Sequence, residues 1–209
     1  QRRLSGANFR AADLEEAIFS YADLREAIFV GVDLTGAKLD HANLRDANFT
    51  DANLIDATLE LAILVGADFT DANLDDKWVK ILPLLTSGDG AGLDLRAFDL
   101  SSTYLAGFTL SNANFRDANL ARARLDGADL RGAELAGADL YQANLSNADL
   151  REANLKSANL EGADLRQATL RGAIVTNMQL ETASLGCTRM PDGTITKGDA
   201  CYDIVTPLP

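Results

Sequence analysis

Residues 128–155 read ADLRGAELAGADLYQANLSNADLREANL, and a five-residue period runs through the whole stretch. Leucine returns at every fifth position, alanine stands two positions before each leucine, and an Asp, Asn or Glu stands between them. A period of five matches neither the 3.6-residue repeat of a helix nor the two-residue repeat of a strand. Two inward positions in every five, one large and one small, require a turn in each pentad. The sequence therefore predicts a chain wound into a polygonal coil.

The same period extends through most of the 209 residues in two arrays. Array 1 carries a large apolar residue at every fifth position from Leu4 to Leu74, which makes 15 pentads. Array 2 runs in the same way from Leu95 to Leu185, which makes 19 pentads. Because Leu74 and Leu95 are 21 residues apart, the register slips by one residue between the arrays. The predicted parts of the chain are array 1 at 1–74, an insertion at 75–92, array 2 at 93–185 and a C-terminal cap at 186–209.

Phenylalanine indicates how many pentads form one coil. Four central residues of array 1 are spaced 20 apart, which is four pentads, so a four-sided coil would stack their rings in one column: Phe9, Phe29, Phe49 and Phe69. Stacking like on like keeps the interior volume constant, and successive coils would pair as parallel strands about 4.8 Å apart. The Asp or Asn before each central residue favours a turn, and the frequent Gly two positions after it suits a corner.

The repeat A-[D/N]-[L/F]-x-x resembles the signature of the pentapeptide repeat family. It stands here as ADLREA at Ala22–Ala27, ANLRDA at Ala42–Ala47 and ADLRGA at Ala128–Ala133. The resemblance covers nearly the whole chain and implies an all-β fold, the right-handed quadrilateral parallel β-helix of that family. Many members of the family come from cyanobacteria, and some are exported to the periplasm or to the thylakoid lumen.

The insertion reads DDKWVKILPLLTSGDGAG. Four of its apolar residues have the spacing of one helix face, which predicts a short amphipathic helix followed by a loop: Trp78, Ile81, Leu82 and Leu85. Asp75 or Asp76 could cap the N-terminus of this helix, and Pro83 should kink or end it.

The first coil of array 2 carries larger residues where alanine is expected: Leu93, Phe98, Thr103 and Phe108. We hypothesise that this overfilled coil is distorted, and that Phe98 and Phe108 pack with the inserted helix around Trp78 in one continuous stack. In the alternative, the helix plugs the end of one array and the two arrays are separate domains.

The cap contains a turn signal, Pro191-Asp192-Gly193, and should cover the unpaired backbone of the last coil. Cys187 and Cys201 could form a disulfide that holds this cap, or could remain two free thiols. The chain begins with Gln1 rather than Met, so we expect a processed or trimmed product from which any targeting segment has been removed. Exported relatives and a disulfide favour the periplasm or the thylakoid lumen, and a cytoplasmic location is the alternative.

The sequence contains no residue pattern for catalysis, cofactor binding or metal binding. Its single histidine, His41, lies at an outward position and is expected to stack between Tyr21 and Leu61. The two cysteines have no histidine or further cysteine nearby to complete a zinc site, and most Asp residues occupy the turn position. We therefore predict a protein that is not an enzyme and uses no cofactor.

The net charge of −12 argues against direct nucleic-acid binding, and no apolar run approaches the roughly 18 residues of a membrane span. Three arginines spaced 20 apart should form a ladder on one face, a candidate surface strip for an anion or a partner: Arg131, Arg151 and Arg171. Glu134 and Glu152 could offset their mutual repulsion. The alternative interpretation is an ordinary solvated mosaic of charges.

These features favour a non-enzymatic structural or protein-interaction solenoid, which binds an unknown partner through its long repeated faces. The resemblance also implies a second candidate role, because some pentapeptide repeat proteins mimic DNA, bind DNA gyrase and protect it from quinolones. The acidic charge fits that role, whereas the arginine strip and the predicted disulfide-held cap argue against it.

Overall fold

The computed structural model describes residues 3–196. Two helices lie in this range, α1 at Asp76–Ser87 and α2 at Asn177–Glu181. Outside them the described chain is paired through isolated β-bridges, and no strand in this range is longer than one bridge. Every parallel bridge joins residues that are 20 apart, as Asn8 does with Ile28. Four pentads therefore make one coil.

The chain divides into two compact units. Unit 1 comprises Gln1–Asp89 with Ser102–Tyr104, and unit 2 comprises Gly90–Ser101 with Leu105–Pro209. The phenylalanine column and α1 belong to unit 1, and the arginine strip and α2 belong to unit 2. Each unit repeats the same five-residue turn around a leucine and alanine interior.

The phenylalanine column of unit 1 is confirmed. The four rings stack at centroid distances of 4.8 Å, with interplanar angles between 3° and 9°. Phe29 and Phe49, in the middle of the column, are completely buried, whereas Phe9 and Phe69 at its two ends are half-buried. Phe19, two pentads before Phe29 and so on the opposite side of the four-sided coil, meets Phe29 edge-on at 6.0 Å. Large residues thus repeat in register from layer to layer, as the 20-residue spacing predicts.

Each regular pentad turns at the two residues that follow its central leucine or phenylalanine. The second residue after the central leucine adopts a left-handed backbone, with φ of +65° at Gly132 and +61° at Glu152 one coil later. This conformation is easy for glycine and strained for residues with a Cβ, which explains the frequent glycines. The residue before the leucine supports the turn with its side chain, as when Asp129 Oδ1 accepts the backbone N–H of Arg131 at 3.2 Å. The predicted turn roles of Gly and Asp are confirmed.

Helix α1 is confirmed in the insertion, and it does not end at Pro83; the alternative, that Pro83 kinks it, stays a prediction. The helix continues to Ser87 and closes at left-handed Gly88, whose N–H donates to Leu84 O at 3.0 Å. Pro83 is exposed, so its ring avoids the core, and burial of the turn after it outweighs the lost N–H bond. Asp75 is the N-cap residue but makes no side-chain capping bond. The buried residues of the helix are Trp78, Ile81, Leu84 and Leu85.

Helix α2 was not expected, because array 2 was predicted to run unbroken to Leu185. It replaces the pentad around Leu180, which stays buried. In regular coils a small-residue carbonyl accepts the N–H that lies 21 residues later, as Ala138 O does from Asn159. At α2 the corresponding backbone N–H, that of Gln179, bonds Thr176 Oγ1 instead. Gln179 Nε2 then supplies the missing donor to Ala158 O at 2.8 Å.

The coil predicted to be overfilled is filled at only some of its positions. Thr103 and Phe108 are buried, and Phe98 is half-buried. Leu93 is 42% exposed, so the prediction that it adds volume to the interior is wrong. The packing of Phe98 and Phe108 with the helix around Trp78 stays a prediction.

The described part of the cap confirms the turn at Pro191-Asp192-Gly193. Met190 N–H donates to Thr194 O at 2.7 Å, and the returning chain places Ile195 antiparallel to Arg189. Parallel pairing also reaches Arg189 itself, beyond the predicted end of array 2. Cys187 is buried at a left-handed corner with φ of +56°. Cys201 lies outside the described residues, so the disulfide stays a prediction.

Candidate functional site

The three arginines of the predicted strip lie at equivalent positions on three successive coils of unit 2. Their register is set by the parallel bridges of the residues two positions earlier, Asp129 to Asp149 and Asp149 to Thr169. Each arginine follows a completely buried leucine and is itself exposed. The guanidinium groups are therefore carried on a rigid backbone whose layers are about 4.8 Å apart.

Two of these arginines are bound side-on by carboxylates of the turn position. Arg131 donates from Nε and Nη2 to the two oxygens of Asp129 at 2.8 and 2.6 Å. Arg151 makes the same two bonds to Asp149, also at 2.8 and 2.6 Å. The hydrogen bond from Arg131 lowers the pKa of Asp129 below its ordinary value, against the opposing effect of partial burial. Both guanidinium groups are thus oriented before any ligand arrives.

Asp149 also bridges two layers of the strip. Its Oδ2 atom lies 3.9 Å from Nε of Arg131 and 2.6 Å from Nη2 of Arg151. Repulsion between the arginines is therefore offset by turn aspartates, and the expectation that Glu134 would do this is wrong. Glu134 pairs instead with Arg116, at 3.7 Å. These surface pairs are exposed, so each contributes little to stability.

Arg171 differs from the two arginines before it. Thr169 stands two positions earlier, where the preceding coils carry Asp149 and Asp129. Within residues 3–196 the guanidinium of Arg171 forms no ion pair. The strip therefore ends in a cation whose Nε and Nη2 edge has no carboxylate, unlike the same edge of Arg131.

A cleft of about 380 Å³ opens on this face between the arginines of neighbouring coils. Its walls combine two guanidinium groups with one carboxylate, an amide, a hydroxyl and a glycine. The lining residues are Ser111, Asn112, Arg131, Gly132, Arg151 and Glu152. Such a polar, shallow surface can bind hydrogen-bonding and anionic groups.

Side-on pairing is a general property of the tripeptide Asp-Leu-Arg in this chain. Five such tripeptides occur, and each forms the bidentate pair, with both distances between 2.6 and 2.9 Å. Only two of the five fall on successive coils of one face, those at Arg131 and Arg151. The pairs join Asp23 with Arg25, Asp94 with Arg96, Asp129 with Arg131, Asp149 with Arg151, and Asp164 with Arg166.

Sequence reasoning did not identify Asp129 and Asp149 as parts of the strip. It assigned aspartates at this position to the turn alone, although residues two apart on an extended segment point to the same side. The Asp-Leu-Arg spacing was therefore the available signal. Asp129 performs both roles, because one of its oxygens accepts the backbone N–H as well as the guanidinium.

The other candidate residues remain apart from the strip. His41 stacks on Tyr21 at 4.4 Å in unit 1, which confirms that side of its expected position; its stacking on Leu61 stays a prediction. Trp78 is buried in α1. A second cleft, of about 310 Å³, lies in unit 1 between α1 and the last coil of array 1, where Phe69, Val79 and Pro83 contribute to its lining. Residues 3–196 contain no cluster of His, Cys, Asp and Glu able to hold a metal ion. Neither helix of this range has the length and apolar character needed to cross a bilayer.

Comparison with known families identifies the repeat. Pentapeptide repeats match this chain in eight copies. The matched ranges are 2–29, 27–64, 42–76, 94–132, 133–172 and 148–185, which together cover well over half of the chain. The chain therefore belongs to the pentapeptide repeat family.

Similar solved structures come from the same family. HetL, a pentapeptide repeat protein involved in heterocyst differentiation regulation in the cyanobacterium Nostoc sp. strain PCC 7120, is 35% identical over 93% of this chain and 87% of its own, with a TM-score of 0.34. A thylakoid lumen protein of Arabidopsis thaliana is 31% identical over 49% of this chain and 57% of its own, with a TM-score of 0.24. QnrB1, a plasmid-mediated fluoroquinolone resistance protein, is 16% identical over 90% and 89%, with a TM-score of 0.31. None of the curated proteins compared matches the chain significantly.

Proposed function

We propose that this protein is a non-enzymatic interaction solenoid, and that unit 2 binds a protein partner through the strip of Arg131, Arg151 and Arg171. The cleft between Arg131 and Arg151 carries the proposal, because it places two oriented guanidinium groups side by side on a chain of net charge −12. Arginine is favoured at protein interfaces for its planar, multidentate hydrogen bonding.

The filling of the coils supports binding rather than catalysis. Between residues 110 and 170 the inward leucines and alanines are buried, so the interior offers no space for a substrate. The only buried polar side chains among residues 3–196 are Thr103 and Thr188. Catalysis requires acids, bases or nucleophiles that converge on a concave site. The strip offers fixed cations, which bind a ligand but do not exchange protons near neutral pH.

We infer that both units wind as right-handed quadrilateral β-helices. Parallel bridges every 20 residues and a turn in each pentad support the four sides, and membership of the pentapeptide repeat family supports the hand. A crystal structure tests this inference, which a left-handed coil would contradict.

We also infer an oxidising location, the periplasm or the thylakoid lumen, with the cytoplasm as the alternative. The support is the cysteine pair, Cys187 and Cys201, which would tie the cap to the last coil. Thiol titration of the denatured, unreduced protein tests the pairing. No reactive thiol is expected, and two would refute the bond.

The interaction role can be tested by site-specific photocrosslinking in extracts of the source cells. A photoreactive amino acid at Ser111, which lines the cleft, is compared with the same group at Ser146. Ser146 has the same pentad position on another side of the coil and serves as the matched control. We expect a defined crosslinked protein from position 111 and not from position 146.

Two arginine variants decide whether the strip is responsible. Arg131→Ala combined with Arg151→Ala should abolish the crosslink at position 111. Arg166→Ala should preserve it, although it also leaves a turn carboxylate, that of Asp164, without its partner. The same crosslinked proteins from both positions, or a crosslink that survives the double substitution, would contradict the proposal.

A further inference from the structure

Two of the three arginines of the strip pair with an aspartate two residues earlier, and Arg171 does not. Arg131 and Arg151 each meet an aspartate two residues earlier, at 2.6 Å. Arg171 meets Thr169 at that position, and the next residue of the same column is Arg189, which pairs with Thr169 through a parallel bridge. No ion pair within residues 3–196 involves Arg171 or Arg189. The coil of Arg171 therefore has no carboxylate at the position that Asp129 and Asp149 occupy on the preceding coils, and the next coil has Arg189 there.

Two nearby aspartates are already engaged. Asp149 is bonded to Arg151 and lies 3.9 Å from Arg131. Asp192, in the next coil, accepts the backbone N–H of Thr194 at 2.9 Å and its hydroxyl at 2.7 Å. The hydroxyl bond lowers the pKa of Asp192, so it stays ionised within its own turn. Neither Asp149 nor Asp192 is therefore available to neutralise Arg171, which leaves its guanidinium open to a carboxylate from another molecule.

We propose that the strip binds an acidic peptide segment, with one carboxylate of the partner pairing side-on with Arg171 at the place that Asp129 and Asp149 fill on the earlier coils. This inference rests on the interaction role proposed above and names the chemistry of the partner. The five Asp-Leu-Arg pairs of the chain give the expected geometry, two parallel N–H···O bonds donated by Nε and Nη2 to the two carboxylate oxygens.

The local charge favours carboxylates over phosphates. Asp129, Asp149 and Glu152 lie along the same strip, so a dianionic phosphate would meet more repulsion than a single carboxylate does. The overall charge of −12 disfavours polyanions such as nucleic acids even more strongly. A partner segment with separate single charges fits this field best.

The cleft supplies a second contact at a defined distance. Its lining spans three coils, from that of Ser111 to that of Arg151, and Arg151 stands one layer, or about 4.8 Å, from Arg171. Side chains two residues apart on an extended peptide lie on the same side and about 7 Å apart. A Glu-x-Glu segment can therefore place one carboxylate at Arg171 and the other at the part of the cleft beside Arg151.

Fluorescence anisotropy with a labelled peptide tests the inference. The probe carries a Glu-Val-Glu core with uncharged flanks, and the control peptide carries Gln-Val-Gln. Titrations with the full chain at about 50 mM salt limit the screening of exposed charges. We expect the Glu peptide to bind at least about tenfold more tightly than the Gln peptide, because each bidentate charge-assisted pair contributes strongly.

The decisive variant supplies Arg171 with a carboxylate from the chain itself. Thr169→Asp recreates the tripeptide that pairs at all five other places, so the new carboxylate should occupy Arg171 and weaken peptide binding about tenfold or more. Asn43→Asp is the matched control, because it adds the same charge before Leu44 and Arg45 in unit 1. It should leave affinity within about twofold. Circular dichroism melts verify that both variants stay folded.

Several results would overturn the inference. Equal affinity for the Glu and Gln peptides, or a Thr169→Asp variant that binds as tightly as the original chain, excludes a carboxylate at Arg171. Tighter binding of a phosphoserine peptide or of single-stranded DNA would assign the strip to another anion. If the peptide fails while the crosslink at position 111 persists and depends on Arg131 and Arg151, the interaction role stands and only the acidic partner is refuted.

Discussion

At the residue scale, the aspartate before the central leucine combines two functions. Asp164 accepts the backbone N–H of Arg166 at 3.0 Å and holds the guanidinium at 2.6 and 2.9 Å. The turn role follows from sequence, because Asp and Asn favour turns. The pairing depends on which residue stands two positions later, so it varies with the outward sequence rather than with the repeat.

The pKa values of these aspartates predict loss of stability in acid. The arginine hydrogen bond lowers the pKa of Asp129 and of Asp164, and the Thr35 and Thr70 hydroxyls lower those of Asp33 and Asp68. Since the folded pKa lies below the unfolded value of about 3.9, the stabilisation is complete above that value. It is lost as the pH falls through the folded pKa. Melting temperatures should be level from about pH 7 to 5 and fall below about pH 4.

Replacing two of the carboxylates tests the cause of this acid sensitivity. Asn keeps the turn function of the position but does not ionise, so Asp129→Asn with Asp164→Asn should lose less stability between about pH 4 and 2. Thermal unfolding followed by circular dichroism over this range gives the comparison. An unchanged slope in the double variant would assign the acid transition to other groups.

The phenylalanine column gives a second prediction at this scale. Phe49 is completely buried and stacks on a ring above and below, those of Phe29 and Phe69. Phe49→Ala should therefore cost about 3–5 kcal/mol of unfolding free energy, because it leaves a cavity that a rigid coil cannot close. Phe9→Ala should cost less, because Phe9 lies half-buried at the end of the column. Urea unfolding followed by the fluorescence of Trp78, the single tryptophan of the chain, measures both, and equal costs would contradict the prediction.

At the element scale, helix α1 can be predicted from the sequence, whereas helix α2 is hard to predict. Helix α1 interrupts the five-residue period, and its apolar residues follow the spacing of a helix face. Helix α2 has five residues and keeps Leu180 at the expected central position, so the period masks it. Thr176 and Gln179 form a capping box, which was the local signal for a helix start.

Gln179 connects α2 to the coil below it, which predicts the effect of a near-isosteric change. Its Oε1 atom accepts the N–H of Thr176, while Nε2 donates to Leu155 O and Ala158 O, both at 2.8 Å. Gln179→Glu keeps the capping acceptor but loses both donors and places a charge against two carbonyls. The expected cost is about 2 kcal/mol of unfolding free energy.

The control for this substitution adds the same charge to the same helix. Met178 is 78% exposed, so Met178→Glu should change stability by no more than about 0.5 kcal/mol. Urea unfolding followed by circular dichroism measures both variants. A Gln179→Glu variant as stable as Met178→Glu would show that the two carbonyl contacts do not hold the helix to the coil.

At the scale of the whole molecule, sequence reasoning succeeded for the interior and was incomplete for the exterior. The five-residue period determines which side chains point inward, because the apolar leucine and alanine side chains can leave water only in the interior of the coil. The 20-residue column of Phe29 and Phe49 therefore followed from spacing alone. The surface positions have no such constraint, so the pairing of Arg131 with Asp129 and the lack of an ion pair at Arg171 within residues 3–196 emerge only from the structure.

The charges on the protein surface also affect the second candidate role, which is mimicry of DNA at DNA gyrase. A DNA mimic must present acidic groups that are not neutralised by neighbouring cations, as phosphates are presented on a duplex. Here all five Asp-Leu-Arg aspartates are bonded to arginines, and the strip of unit 2 ends in Arg171. The net charge of −12 is therefore carried by other acidic residues of the chain. We expect the protein neither to inhibit plasmid supercoiling by DNA gyrase nor to restore supercoiling in the presence of a quinolone.

A triple variant gives this assay its control. Arg131→Gln with Arg151→Gln and Arg171→Gln removes the cations of the strip while Asp129 and Asp149 remain, so the face becomes continuously acidic. If local cations are what prevents mimicry, the variant should affect gyrase at concentrations where the original chain does not. Restoration of supercoiling by the original chain at micromolar concentration would instead establish that the acidic surface of this protein acts on gyrase despite its arginine strip.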